Sequence, residues 1–442
     1  MLRETCPWNK LNKNWSGVES EDILLRVALS PCPFVILEMT LEMKIWLFDL
    51  DGVLIYPGGY RAALKATVNH FARAMGLGDY DLADEIIETF EACGITSEWD
   101  SSPICVAVLL ADIWRADPVL RLPPDFDAAL SAVRSRAPRR PAPDLAQWAR
   151  RIAQTLSSTA SYPSDVALNL LLDDARRLPE RNGRLVELDT ALRRLLERNR
   201  DLLHSPTMRV FQHYTLGSHG FASHYGIAPE WETPSLLHDL DRPALQPRSR
   251  SLILELALQG AVCPVIYTAR PCQPRTLPGR PEDYAPEAEI ALSLVGLADL
   301  PLAAYGHLAW LAEQHQQRPD YFVKPSPVHA LAAVAMATGG SERPALEAAQ
   351  ALVEKGHLAT PLSDLSGQPV EIHVFEDSAR GIRGVHEAAW CLEQAGVRTD
   401  VRAWGIAESS EKREALEALD ACTFENVDQA IQAALLSPDK SA

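Results

Sequence analysis

Short, continuous apolar runs alternate along the chain with longer segments of helical periodicity. One of these runs, Ile45–Phe48, has the length and composition of a strand that is buried on both faces. Three further strands are predicted at Val262–Tyr267, Ile372–Phe375 and Val401–Ile406. Helical patterns separate them, for example from Val328 to Ala337. Strands that alternate with helices predict parallel βαβ units, and therefore an α/β fold with a doubly wound parallel sheet.

Weaker patterns fill in the rest of the chain. Leu300–Gly306, Tyr321–Val323 and Ala421–Phe424 have the composition of further short strands. The long segment between the first two strong strands is mostly helical in pattern. Within it, Ser101–Pro103 predicts the start of a helix over Ile104–Trp114, and the stretch from Leu122 to Pro143 predicts mostly loop.

Two carboxylates follow the first strong strand directly. Asp49 and Asp51 are two residues apart, so in an extended segment they point to the same side. Gly52 then permits a sharp turn. Two adjacent carboxylates repel each other unless a cation or a shared proton relieves them. An Asp-rich turn would explain the pair equally well, and three later segments decide between the two interpretations.

Four segments, in chain order, resemble the motifs of the haloacid-dehalogenase-like hydrolases, a superfamily dominated by phosphatases. They are Asp49–Val53, the strand from Val262 that ends in Thr268, Lys324 ahead of the Val328 helix, and Glu376–Asp377 after the Ile372–Phe375 strand. The resemblance implies a Rossmann-like core with a helical cap inserted between the first and second motifs.

This resemblance divides the chain into three parts. Residues 43–55 and 245–442 form the expected catalytic core, and residues 56–244 form an enlarged, mostly helical cap. Residues 1–42 carry no recognisable chemistry and are either an extension or a small element that packs on the core.

In such a core, Asp49 is the candidate nucleophile, which forms an aspartyl-phosphate, and Asp51 is the candidate general acid and base. Relatives in this superfamily that displace halide or cleave carbon–phosphorus bonds do not have Asp at this position, so the resemblance implies that Asp51 favours phosphate-ester chemistry. Thr268 is expected to bind a phosphate oxygen through its hydroxyl, and Lys324 to neutralise the nucleophile and the phosphate. In isolation, Thr268 would be a strand-end cap and Lys324 a solvated surface lysine.

A phosphate beside several carboxylates requires a counter-charge, for which Mg²⁺ is the expected cofactor. The resemblance implies that Mg²⁺ is bound by Asp49, the main-chain carbonyl of Asp51 and Asp377. Glu376 is either a direct ligand or a residue that contacts one of the ligands. Without the other motifs, Glu376 and Asp377 would be ordinary acidic residues at a helix N-terminus.

The sequence motifs indicate the residues that contact the substrate less clearly than they indicate the catalytic residues. Gly52, the amide of Ala269, and Arg270 adjoin the core motifs, and surface ion pairing explains Arg270 as well. By family analogy, the polar break that contains Glu98 and Trp99 is a cap loop over the site, although it also fits a simple helix cap.

The histidines between His204 and His224 match no zinc-binding spacing, and we expect them to lie in the core or on the surface.

Composition narrows the possible partners. The chain has 42 Lys and Arg against 59 Asp and Glu, a net charge of −17, which argues against a broad nucleic-acid surface. The eight scattered cysteines include no Cys-x-x-Cys pair, so neither a zinc site nor a disulfide framework is expected, and a cytoplasmic setting is the simplest. No apolar run is long enough to predict a membrane span.

The leading hypothesis is therefore a Mg²⁺-dependent phosphomonoester hydrolase that acts on a small phosphorylated metabolite. A phosphomutase shares the same core motifs and is the first alternative. A binding or regulatory protein that uses the large cap for a partner is the second. No pattern in the chain indicates an oligomeric state.

Overall fold

A computed structural model describes residues 43–138, 143–156, 161–178 and 183–437. The expectations for residues 1–42 lie outside this range. Among the described residues, no helix is both long and apolar enough to cross a membrane.

The described chain divides into two compact units. Residues 43–56, 243–278 and 292–437 form one, called here the core unit, and residues 57–242 and 279–291 form the other, called the helical unit. The segment 279–291 follows the second motif in sequence, inside the range assigned to the core, but clusters with the helical unit.

The core unit contains a six-stranded sheet in which every neighbouring pair of strands is parallel. Its strands are β1 (Met43–Phe48), β4 (Cys263–Tyr267), β5 (Leu302–Ala303), β6 (Val370–Glu376), β7 (Thr399–Ile406) and β8 (Cys422–Phe424). The order across the sheet is β5-β4-β1-β6-β7-β8, so successive strands run outward from β1 in both directions. The predicted α/β, Rossmann-like doubly wound core is confirmed. Two further short strands are β2 (Ile55–Tyr56) and β3 (Arg242–Pro243).

Strand β1 is central because both of its faces are apolar. Ile45 and Leu47 belong to the hydrophobic core that includes the helix from Val328. On the opposite face, the Phe48 ring stacks on that of Phe375 with 4.5 Å between their centroids. A strand with two apolar faces is stable only with cover on both sides, as a doubly wound sheet provides.

Helices connect the strands of the core unit. They are α10 (Pro247–Leu258), α12 (Tyr305–Gln314), α13 (Pro327–Ala337), α14 (Glu342–Lys355), α15 (Ala379–Gln394), α16 (Ser410–Glu417) and α17 (Val427–Leu436). Helix α11 (Glu287–Val295) begins in the helical unit and ends in the core unit. Helix α13 is buried from Val328 to Ala337, and Ala makes up much of it, which permits close packing on all sides.

The helical unit is built around its own hydrophobic core, which extends from Ala63 to Phe211. Its helices are α1 (Gly59–Ala74), α2 (Asp84–Ala92), α3 (Glu98–Ala116), α4 (Phe126–Ser135), α5 (Leu145–Leu156), α6 (Pro163–Arg176), α7 (Leu185–Leu196), α8 (Pro206–Tyr225) and α9 (Leu236–Leu240).

Helix α3 starts earlier than its sequence predicts, at Glu98 with Ser97 as its N-cap, so Pro103 lies inside the helix. Proline has no N–H to donate to the carbonyl of the residue four positions earlier, which here is Trp99. The side-chain amide of Asn199 donates to the Trp99 carbonyl instead, at 2.6 Å. The contact from Asn199, 100 residues away in sequence, therefore stabilises a helix that begins at Glu98, whereas the local sequence pattern predicts a later start.

Two other local predictions are wrong. The stretch from Leu122 to Pro143 contains helix α4, whose buried Phe126, Ala129, Leu130 and Val133 have helical spacing; residues 139–142 are not described. The expected strand at Tyr321–Val323 is replaced by a 3₁₀ turn over Pro319–Tyr321. The segment does not pair as a strand; its Phe322 side chain is buried in the core instead.

Candidate active site

Register in the sheet brings the predicted motifs to one edge. Phe48 is aligned with Ile266 on one neighbouring strand and with Phe375 on the other. Asp49 follows Phe48, and Glu376 follows Phe375, so the two carboxylates lie side by side at the carboxyl ends of β1 and β6. The Asp49 amide donates to the Phe375 carbonyl at 3.0 Å. The junction of β1 and β6 is where strand order reverses, and open α/β sheets bind ligands at such junctions.

Asp49 is a buried carboxylate with a cation in contact. One of its oxygens, Oδ1, lies 3.0 Å from the Lys324 ammonium and also accepts the Leu50 amide at 2.8 Å. Burial and then the negative charge of Glu376 raise the pKa of Asp49 from 3.8 to about 7, against the opposing effect of Lys324. The ionised form of this carboxylate is therefore disfavoured overall, and the Lys324 ammonium offsets only part of that cost.

Lys324 is buried between two carboxylates. Its ammonium lies 3.0 Å from Asp49 Oδ1 and 2.5 Å from Glu376 Oε1, and 4.2 Å from the centre of the Tyr267 ring. Burial works against the charged form, but the charges of Asp49 and Glu376 outweigh it and raise the pKa of Lys324. The ammonium is thus charged at neutral pH and is not a solvated surface group.

Asp49, Glu376 and Asp377 form a compact acidic cluster. One carboxylate oxygen from each lies within 4.8 Å of the others, close enough to bind one metal ion. Burial raises the pKa of Asp377, partly offset by Lys412, whose ammonium lies 2.5 Å from Asp377 Oδ2. Since the donors are oxygens and the carboxylates are crowded in a buried place, the residues fit a hard cation.

The cluster depends on two glycines that leave room for carboxylates. Gly52 has a φ of +75°, and a Cβ at that position would lie 2.1 Å from Asp377 Oδ2. A Cβ on Gly381, in the first turn of α15, would lie 1.7 Å from Glu376 Oε1. Glu376 is further held by Ser378, whose amide and hydroxyl each donate to Oε2 at 2.9 Å.

Asp51 faces Arg270. The Arg270 Nε lies 2.9 and 3.0 Å from the two Asp51 oxygens, and Nη2 lies 2.6 Å from Oδ1. The Arg270 side chain is 1% exposed and that of Asp51 is 34% exposed. Arg270 is therefore a buried arginine that pairs with a half-buried, predicted catalytic residue, and is not a surface arginine.

Thr268 and Lys324 are joined through one backbone carbonyl. The Ala303 carbonyl accepts the Thr268 amide at 3.1 Å and lies 3.0 Å from His329 Nε2. The other ring nitrogen of His329 faces the Lys324 amide at 3.4 Å. Burial lowers the pKa of His329 from 6.5 to about 3, so its ring is neutral and bridges the two loops.

The remaining predicted substrate residues differ in their surroundings. Ala269 is exposed between the buried Thr268 and Arg270. Glu98 and Trp99 are half-buried in the first turn of α3, in the helical unit. Trp99 packs against the hydrophobic core of that unit.

The histidines of α8 do not form a metal site. His213 Nε2 lies 3.1 Å from the Ser218 hydroxyl, and its ring packs at a tilt against that of Trp231, with 4.1 Å between their centroids. His224 Nε2 lies 3.2 Å from the Tyr284 carbonyl. Within the described parts of the chain, no second group of three potential ligands comes as close together as the acidic cluster. These contacts are typical of core and half-buried histidines.

Sequence reasoning missed three residues of the site: Tyr267, His329 and Lys412. The sequence pattern places Tyr267 only in a strand and His329 only in a helix. The spacing of five residues between Lys324 and His329 was a usable signal, but Lys412 comes from α16 and no local pattern marks it.

Comparison with known proteins adds evidence on the fold. No protein-family model matches the chain, and no curated protein matches it. The X-ray structure of Northeast Structural Genomics Consortium target ZR25 matches at 15% identity with a TM-score of 0.54, covering 89% of this chain and 99% of that one. Phosphatase Tt82 from Thermococcus thioreducens matches at 14% identity and a TM-score of 0.37, covering 85% of this chain and 99% of that one. The first likeness shows a shared fold.

Proposed function

We propose that this chain is a Mg²⁺-dependent phosphomonoester hydrolase of the haloacid-dehalogenase-like type, with Asp49 as its nucleophile. One observation carries the proposal: the buried Asp49 carboxylate, at the carboxyl end of the central strand, contacts the Lys324 ammonium and adjoins Glu376 and Asp377. The cluster has three carboxylates for only two ammoniums, those of Lys324 and Lys412, and this excess of negative charge lies at the edge where parallel α/β sheets commonly bind ligands.

The reaction takes two steps. An Asp49 oxygen attacks phosphorus, the bond from phosphorus to the ester oxygen breaks, and Asp51 gives its proton to the departing alkoxide. Water then attacks the phosphorus of the aspartyl-phosphate while Asp51 takes a proton from it. Inorganic phosphate leaves, and the Asp49 carboxylate is restored.

Positive charge must accumulate around the transferring phosphoryl group. Lys324 supplies a fixed charge next to the attacking oxygen, and the Thr268 hydroxyl donates to a phosphate oxygen. Asp49, Asp377 and the Asp51 carbonyl would bind Mg²⁺, with Glu376 holding Lys324 and adding charge to the site. When bound, the ion would offset the negative charge shared by the phosphate and these carboxylates.

The substrate is a small phosphorylated metabolite. The acidic chain, at −17, does not attract anions over its surface, so recognition of phosphate falls to local groups at this site. Glu98 and Trp99 stay candidates for contacts with the leaving group, by family analogy only.

The test is phosphate release from a panel of phosphorylated metabolites, with Mg²⁺ and with excess chelator. We expect release from a narrow subset with Mg²⁺ only, and loss of release in Asp49→Asn. Asn keeps the shape of Asp but is not a nucleophile. The exposed Asp320→Asn is a matched control that should keep full activity.

Undiminished hydrolysis by Asp49→Asn would overturn the proposed nucleophile. Isomerised substrate without free phosphate would instead identify a phosphomutase, which uses the same core residues. Tight binding of a phosphorylated ligand without turnover would identify a binding protein.

A further inference from the structure

Asp51 performs its proposed role only if one of its oxygens is aimed at the leaving group. Its side chain is 34% exposed and stands in a loop after β1, so burial does not fix its rotamer. A freely rotating carboxylate would be poorly placed for proton transfer, which needs hydrogen-bond distance to the ester oxygen. Another group must therefore hold it.

Arg270 meets that need by its geometry. Its Nε is shared between the two Asp51 oxygens, at 2.9 and 3.0 Å, and its Nη2 contacts Oδ1 at 2.6 Å. This edge of a guanidinium, Nε with Nη2, is one that arginine commonly uses to bind phosphate bidentately. In this chain that edge is directed at Asp51.

Arg270 is itself held firmly. Its amide donates to the Thr268 hydroxyl at 3.2 Å, and its carbonyl accepts the Tyr305 amide at 3.0 Å. Two residues later, the Cys272 sulfur lies 3.2 Å from His307 Nδ1. The loop after β4 is thus pinned at several points to the start of α12, and the guanidinium, 1% exposed, has little freedom to move.

From these contacts we infer that Arg270 is a positioning residue for Asp51 and does not bind the substrate phosphate. The inference rests on the proposed hydrolase and adds a role beyond it. It predicts a specific kinetic effect: loss of Arg270 should impair proton donation to the leaving group and leave the attack of Asp49 on phosphorus intact.

Two aryl phosphates of similar shape separate these effects. Phenolate is a basic leaving group that needs a proton, and 4-nitrophenolate is weakly basic and leaves readily without one. The ratio kcat/KM reports steps up to departure of the leaving group, so later hydrolysis of the aspartyl-phosphate does not enter. General acid catalysis contributes about 10²–10⁴-fold to a basic leaving group.

For Arg270→Met, we expect kcat/KM to fall at least about tenfold more for phenyl phosphate than for 4-nitrophenyl phosphate. In an Asp51→Asn background, Arg270→Met should add no further selective loss, because the two residues act as a unit. Arg270→Ala should regain phenyl phosphate hydrolysis with added guanidinium ion, and not with methylammonium. Arg318→Met, which removes an arginine from a half-exposed pair with Asp320, is the control and should change neither rate.

Equal losses for both substrates would overturn the inference, because they would mean that Arg270 binds phosphate or only supports the fold. Unchanged rates would overturn it too. If the unmodified protein hydrolyses neither aryl phosphate nor any metabolite of the panel, the proposed hydrolase fails and the inference fails with it. If the wild-type protein is active and Arg270→Met loses activity equally on both substrates, the proposed hydrolase stands and only the role inferred for Arg270 is contradicted.

Discussion

Lys324→Met removes the positive charge from the centre of the site and keeps the length of the side chain. Two carboxylates then lose their buried partner: Asp49, at 3.0 Å, and Glu376, at 2.5 Å, with side chains 11% and 0% exposed. Removing one partner of a buried ion pair costs about 3–5 kcal/mol, since the other charge is left buried and uncompensated.

Lys412 provides a matched control in the same unit. It also pairs with a carboxylate of the cluster, Asp377, at 2.5 Å, but its side chain is 49% exposed. Because the Lys412 ammonium stays in contact with water, its pair with the largely buried Asp377 is screened and should contribute only about 1 kcal/mol. Lys412→Met therefore removes the same charge and creates the same side chain, with only a small expected cost.

The assay is thermal unfolding of both variants at neutral pH in excess chelator, so that no metal substitutes for the lost ammonium. At about 2–4 °C per kcal/mol for a unit of this size, Lys324→Met should lower Tm by about 6–20 °C. Lys412→Met should lower it by less than about 4 °C. Equal shifts would refute the reasoning, because they would show that the Lys324 charge is not buried against its carboxylates. Added Mg²⁺ should recover part of the Lys324→Met loss.

Three further variants test other parts of the structure. Burial works to raise the pKa of Glu371, but the hydrogen bond with His373 and the positive charges of Arg402 and Lys44 lower it from 4.5 to about 2. The stabilisation that the ionised Glu371 provides is therefore present above pH 4.5 and is lost as the pH falls towards 2. Glu371→Gln should therefore cost about 3 kcal/mol in urea unfolding at neutral pH and almost nothing near pH 2; a cost independent of pH would contradict this. Gly381→Ala should lower kcat about 10²-fold by displacing Glu376, whereas Gly220→Ala, with 3.4 Å to its nearest neighbour, should not. Asn199→Ala should destabilise the helical unit by about 1–3 kcal/mol and reduce hydrogen-exchange protection in the first turn of α3; unchanged protection would show that the Trp99 carbonyl needs no partner.

The centre of the sheet was predictable because strands β1, β4 and β6 are buried on both faces. A run such as Ile45–Phe48 is apolar at consecutive positions, which few other elements of that length require. Once parallel strands are assigned, their carboxyl ends must meet at one edge, so the proximity of Asp49 and Glu376 follows from topology.

Predictions failed where a long-range contact decided the local structure. Helix α3 extends over a proline because Asn199, far away in sequence, satisfies the Trp99 carbonyl. The apolar triplet at Tyr321–Val323 turns instead of pairing, since Phe322 is needed in the core. Neither contact can be recognised from the residues that are adjacent in sequence.

The partners within the site were the hardest part to predict. That Arg270 is directed at Asp51 depends on the fold of the loop after β4, which the sequence only marks as a break. Lys412 reaches Asp377 from a helix whose charged surface looks like any other exposed helix. Residue types and motif order identify a site, whereas pairing inside it depends on the tertiary structure.

The most direct test of the account is to trap the covalent intermediate. The protein would be mixed with Mg²⁺ and the best substrate of the panel, quenched in acid, reduced with borohydride and digested for mass spectrometry. Reduction converts an aspartyl-phosphate to homoserine. The account predicts homoserine at position 49, none at position 51, and none in Asp49→Asn. Hydrolysis with Asp49 unmodified, or modification of a different residue, would contradict it.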